Sequence, residues 1–277
     1  MAVMLPTWCR VSLFGVLLCG AEAAAGATMP REKAPHTLEE LALTLVWIEP
    51  GSVWLSSTHG TGDDTRVTLS RGFWLGRTEV TQSQWAAVAR HIPGYQNTPL
   101  PSANVGWDRP VENVSWDMAG LFCAKLNELE AAAGRLPAGY AYALPTEAQW
   151  EYACRAGTEG PYAGEIDAMA WHLGNSGGTT HPVAKKRPNA WGLFDMHGNV
   201  AEWCADWYAG YPGGEVTDPA GPTGGIYRVL RGGSCSAPVG HARSGFRVYW
   251  GGSYFNRFLG FRLALRPVTG PGPETKR

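Results

Sequence analysis

The sequence predicts an α+β domain that is rich in loops. Three observations carry this reading. Short strand-like runs, broken by Pro and Gly, open the domain. A few capped apolar stripes with helical spacing follow them. After Gly157, Gly, Pro, Asn and aromatic residues alternate with only brief strand-like runs. The 36 Gly and 20 Pro among 277 residues are too many for a helical bundle. A hydrophobic fraction of 44% is enough for one large domain with a sizeable core, and the 13 Trp supply bulky packing bodies.

Leu45-Val46-Trp47-Ile48 and Ser52-Val53-Trp54-Leu55 read as strands separated by Pro50-Gly51. Val67-Thr68-Leu69 and Gly72 to Gly76 read as two more. Thr81 is placed to cap a helix whose face is Trp85, Val88, Ala89 and Ile92, with Pro93-Gly94 stopping it. A second helix starts near Ser115, buries Ala119, Phe122, Cys123, Leu126 and Leu129, and ends at Gly134. The third opens on the capping box Thr146-x-x-Gln149, turns Trp150, Ala153 and Cys154 inward, and closes at Gly157. Later strands are expected at Tyr227–Arg231, Ala242–Arg247 and Gly260–Leu265.

Residues 1–23 read as a signal peptide. Arg10 precedes the apolar run Val11 to Cys19, and Ala21-Glu22-Ala23 offers small residues for cleavage. The run is too short to span a bilayer. Cys19 suggests a lipid-anchored alternative, but Leu18 stands before it where lipoproteins carry a small residue, so simple export is preferred. Residues 24–44 read as a linker or leader, and 267–277 as a polar tail. The net charge of −1 gives no electrostatic case for nucleic acid or an anionic membrane surface. Past the signal segment four cysteines remain: Cys123, Cys154, Cys204 and Cys235. Export permits disulfides, and four Cys allow three pairings. No Cys or His spacing suggests zinc.

The richest stretch runs from Ala190 to Trp203 and carries Asp195, Gly198-Asn199 and Glu202. The Gly-Asn pair breaks any helix, so the chain can fold two carboxylates toward each other. Oxygen donors of that kind suit Ca²⁺; equally, Asp195 can cap a turn while Glu202 accepts backbone N–H bonds.

Gly192 to Trp203 resembles the hallmark of the formylglycine-generating enzyme family, also called the sulfatase-modifying-factor family. Matching runs occur in family order at Thr78–Thr81, Pro110–Trp116, Leu144–Ala153, Arg228–Ser234 and Leu259–Ala264. The resemblance covers about 45–266 and implies a complex fold distantly like C-type lectin domains. It also implies that Ca²⁺ is held by the Asp195 side chain, the carbonyls of Gly198 and Val200, and the Glu202 carboxylate. The family's second calcium site lies around Ala170 to Val183, and the downstream Asp it needs is missing here.

Enzymes of this family oxidise a sulfatase cysteine to formylglycine with O₂ and Cu(I) held by two cysteines, as soft thiolates select Cu(I). The resemblance places those cysteines at Ala237 and near Ala242, so the copper site cannot form in its known way. Cys235 and the preceding Ser234 are the remaining catalytic candidates. A Cys204–Cys235 disulfide or a linear Cu(I) pair of the two are the other fates of those sulfurs. Ser234 has no Gly-x-Ser-x-Gly elbow, which rejects a Ser-His-Asp hydrolase.

The surface after Gly233 offers Arg243, Tyr249, Trp250, Tyr254 and Arg257 as ligand-binding candidates, since aromatic anchors give contact area at low entropy cost. It resembles the variable region of retroelement-diversified lectin-like proteins. Ordinary loop packing, with arginines bonded to carbonyls, is the alternative. The expected function is therefore an exported, catalytically divergent binding or scaffold module, whose partner is an exported protein or a small ligand. An oxidoreductase acting on a sulfatase cysteine or a related group is the competing reading.

Overall fold

The structure is a computed structural model that describes residues 33–55, 62–96 and 100–268, with the side chains of 62 and 63 left aside. The expected signal segment 1–23 with Cys19, residues 24–32 of the expected linker and residues 269–277 of the expected tail lie outside those residues.

Three sheets and three main helices organise the chain. The strands are β1 (His36–Leu38), β2 (Leu43–Ile48), β3 (Gly51–Leu55), β4 (Gly62–Leu69), β5 (Phe73–Gly76) and β6 (Tyr140–Ala143), then β7 (Ala201–Trp207), β8 (Tyr211–Thr217), β9 (Arg228–Arg231), β10 (Val248–Trp250), β11 (Leu259–Gly260) and β12 (Ala264–Pro267). The helices are α1 (Gln82–Ala89), α2 (Trp116–Ala132), α3 (Glu147–Arg155) and the single turn α4 (Ile166–Met169). One sheet runs β1-β2-β5-β12-β6, antiparallel throughout. A second runs β10-β9-β7-β11, and a third β3-β4-β8, in which β8 lies parallel to β4.

Period-two alternation splits the core between the two faces of the first sheet. Leu45 and Trp74 join Trp85, Phe122, Leu126 and Phe261 beneath α1 and α2. Ile48, Phe73 and Leu75 face the other way, onto Trp150, Cys154, Met196 and Cys204. All four residues of β5 are buried, as expected of a strand covered on both faces.

Local sequence explains the helices. Thr81 and Thr146 each make a complete capping box, with Gln84 and Gln149 as the reciprocal partners. Ser115 Oγ accepts from Met118 N and caps α2. Helix α1 stops at Ala89, short of the expected Pro93-Gly94, yet Ile92 stays buried.

Four expectations are corrected. The linker does not extend to residue 44, because β1, a 3₁₀ turn at Glu39–Leu41 and the start of β2 occupy its end, with Leu38 and Leu43 buried. Strands β7 and β8 were not foreseen; β8 is hidden by Pro212 and Gly213-Gly214, and its ladder comes from the distant β4. Ala242–Arg247 is not a strand: a 3₁₀ turn ends at Ala242, and the carbonyls of Ser244 and Phe246 accept from Arg231 instead of a ladder. The strand expected at Gly260–Leu265 is two strands, β11 and β12, with Arg262 turned inward between them.

The Thr146 box opens the helix that carries Trp150 and Glu151, so its loss has a local price. Thr146→Ala is expected to destabilise the fold by about 1 kcal/mol, seen as a lower urea midpoint at unchanged slope.

Candidate functional site

Residues 192–203 enter β7 through a backbone that bends sharply, with Asp195 at φ 55°, Gly198 at φ 94° and Asn199 at φ 60°. Gly198 is required there: a Cβ would lie 2.2 Å from the Trp171 carbonyl oxygen. Its N–H donates to Gly232 O at 2.7 Å, joining this loop to the turn before Ser234.

Asn199 is the hub of the loop. Its Nδ2 donates to Glu79 Oε2 at 2.9 Å, its Oδ1 accepts from His181 N at 2.9 Å, and its carbonyl accepts from Cys235 N at 2.8 Å. Glu79 Oε1 accepts from Val200 N at 3.1 Å. Glu79 falls within the run Thr78–Thr81, and the sequence alone assigns it no role. The available signal is an acid beside apolar Val80, three residues after a buried strand.

Glu202 is fully buried, and both its oxygens are taken. Arg262 clasps it, with Nη2 to Oε1 and Nε to Oε2 at 2.6 Å each, and Trp150 Nε1 donates to Oε2 at 2.8 Å. Arg262 also reaches the carbonyls of Gly76 and Phe194. Asp195 Oδ2 accepts from Ala184 N at 2.8 Å, while its buried Oδ1 has no hydrogen-bond partner among the described residues.

Three acids, Glu79, Asp195 and Glu202, therefore surround one buried guanidinium. Burial pushes the Asp195 carboxyl up to about 6, and the Glu202 charge adds to this against Ala184 N–H and Arg262. Glu79 is raised well above its ordinary range, first by burial and then by the charges of Asp195 and Glu202. Of the four expected calcium ligands, Asp195 Oδ1 has the chemistry of an unused hard donor. Glu202 does not, because Arg262 already supplies its positive partner.

The four described cysteines are free and buried. A Cys204–Cys235 disulfide is therefore not formed. Burial pushes the Cys235 thiol up to about 12, and the Glu79 charge pushes the same way. That is the opposite of the electropositive setting a reactive thiolate needs. Ser234 lies buried in a turn closed by Ala237 N to Ser234 O. Ala237 and Ala242 occupy the positions expected for the copper pair, and Ala242 O accepts from His197 Nδ1 at 2.7 Å. Two soft thiolates do not exist there, so the donor set does not fit Cu(I) in the family's manner.

The aromatic candidates lie at the surface. Trp250 stacks on Tyr254 at 4.4 Å, and Tyr249 leans on Tyr208 and Tyr227. Trp250 and Tyr249 are each 44% exposed. Arg257 is exposed over Phe258. Arg243 is instead tied within its own segment, donating to Gly240 O at 2.8 Å.

A curled, loop-rich α+β architecture of this kind places the chain among the C-type-lectin-like folds. Over residues 31–267 the chain matches the family described as the sulfatase-modifying factor enzyme 1-like domain, and it belongs to that family. The solved Treponema denticola variable protein 1 has the same fold, with a TM-score of 0.72 and 32% identity, covering 84% of this chain and 99% of that one. The formylglycine-generating enzyme of Streptomyces coelicolor is 37% identical over 146 residues, 46% of this chain and 42% of that enzyme. The serine/threonine-protein kinase pkn1 of Chlamydia pneumoniae is 40% identical over 129 residues, 44% of this chain but 20% of that protein. The chain thus spans less than half the length of these two relatives.

The raised Cys235 thiol gives a direct check. Iodoacetamide at neutral pH is expected to leave Cys235 unlabelled in the folded protein and to label it after denaturation, as peptide mapping would record. Rapid labelling of the native chain would contradict its protonated, covered state.

Proposed function

We propose that this domain is a binding or scaffold module and not a formylglycine-generating oxidase. One observation carries the reading: Ala237 and Ala242 stand where the copper-binding cysteines are expected, and the thiol next to Ser234, Cys235, is buried with its pKa pushed up to about 12. The exposed Tyr249, Trp250 and Tyr254 supply the contact surface. Export, read from Arg10 to Ala23, makes an exported protein or small ligand the partner. The competing oxidase reading is favoured by the likeness to the Streptomyces coelicolor enzyme, and would make a sulfatase the partner.

The test is chemical. Purified protein with Cu(I) and O₂ is expected to leave a Cys-x-Pro-x-Arg peptide unchanged by mass spectrometry. Aldehyde formation, abolished by Cys235→Ser, would overturn the proposal.

Calcium belongs to the same proposal. Asp195 Oδ1 supports it, being a buried carboxylate oxygen without a partner among the described residues. In this reading Asp195 and the carbonyls of Gly198 and Val200 hold the ion, and Glu202 contributes negative charge from behind Arg262. The ion supplies a clamp on the 195–200 turn, which has no strand of its own to hold it. EGTA is expected to lower the melting temperature by a few degrees, and Asp195→Ala to remove the difference between calcium and EGTA. Identical melts of the unaltered chain in calcium and in EGTA would remove the ion from the proposal.

A further inference from the structure

Between the β3-β4-β8 sheet and the start of α3 lies a cavity of about 330 Å³, within the range of small-molecule sites. Leu55, Val67, Trp207 and Val216 give it apolar walls, and Glu147, Asp206 and Arg247 also line it. None of these residues belongs to the acid–arginine joint or to the aromatic surface.

Arg247 is 5% exposed. Its Nε and Nη2 donate to the two Glu147 carboxylate oxygens at 2.6 and 2.7 Å. Its buried Nη1 has no hydrogen-bond partner among the described residues. The rings of Tyr208 and Tyr211 lie against the guanidinium at 4.6 and 4.0 Å, so an acceptor must approach Nη1 in the guanidinium plane. A buried donor left unpaired is costly, and a carboxylate oxygen is the acceptor that relieves it most. The apolar walls favour a hydrocarbon body.

We propose that this cavity binds a small apolar monocarboxylic acid, its carboxylate accepting from Arg247 Nη1 and its hydrocarbon lying between Leu55, Val67 and Val216. Asp206 fits this reading. Burial and the Glu147 charge raise its carboxyl to about 7, while Glu147 N–H and Arg266 pull it back. Glu147 on α3, Arg228 on β9, Arg266 on β12 and the cavity-lining Arg247 are the charged groups that face it. Protonated Asp206 tolerates a carboxylate beside it. Ionised Asp206 repels one, so affinity falls as pH rises through about 7.

The probe is sodium octanoate, titrated calorimetrically into the full chain. Saturable one-site binding is expected, weaker at about pH 8 than at about pH 6. Ala220→Trp, at the exposed rim, is expected to keep the melting temperature and to weaken binding roughly tenfold or more. Arg247→Lys is expected to weaken it as well, since an ammonium cannot serve Glu147 and the ligand in one plane. Octan-1-ol is not expected to displace octanoate. Absence of binding heat up to millimolar octanoate, full binding by a folded Ala220→Trp variant, or equal binding of the alcohol would each overturn the proposal.

Discussion

The clasp of Arg262 on Glu202 is the interaction on which the rest of the molecule depends. Both groups are fully buried, and both hydrogen-bond in several directions. Through Arg262 the last part of the chain grips the end of β5 at Gly76 and the loop before Asp195 at Phe194. Through Glu202 the same unit holds Trp150 of α3. A buried pair of this kind adds little net stability over a well-packed apolar substitute, but breaking it by removing one partner costs about 3–5 kcal/mol. Its contribution is to fix one arrangement of four separate segments. A second buried pair, Arg231 with Glu151, does the same for the turn that follows Arg243.

The fold was partly legible because its helices announce themselves locally. Thr81, Ser115 and Thr146 sit at caps, and the stripes led by Trp85, Phe122 and Trp150 carry the helical period. The early strands alternate cleanly and end at Pro50-Gly51. The later half is different, since its hydrogen bonds go to side chains or to remote strands. Residues 242–247 look extended in sequence because they mix Phe246 with polar residues, yet their carbonyls serve Arg231. Strand β8 contains Pro212 and two glycines, and only β4 makes it a strand. No local signal encodes a partner about 150 positions away.

The site was legible in its acids and not in their partners. Asp195, Gly198-Asn199 and Glu202 stand out as a broken, acid-flanked run. What the run cannot reveal is that the Arg262 guanidinium and the carboxylate of Glu79, from the segment between β5 and α1, complete it. The cysteines follow the same rule: their positions are plain in sequence, but their burial, and hence their chemistry, is a property of the two cores. Of the surface candidates, Tyr249, Trp250 and Tyr254 are exposed, whereas Arg243 is spent on its own turn.

Strand β12 is inserted between β5 and β6 inside the first sheet, although it is the last strand in sequence among the described residues. That sheet therefore cannot close on a ribosome until residues 264–267 have been made. Until then β5 and β6 have no neighbour between them, and Arg262 has only just emerged to meet Glu202. Such an order of synthesis postpones the joining of β6 to β1, β2 and β5 until the strand that separates them exists.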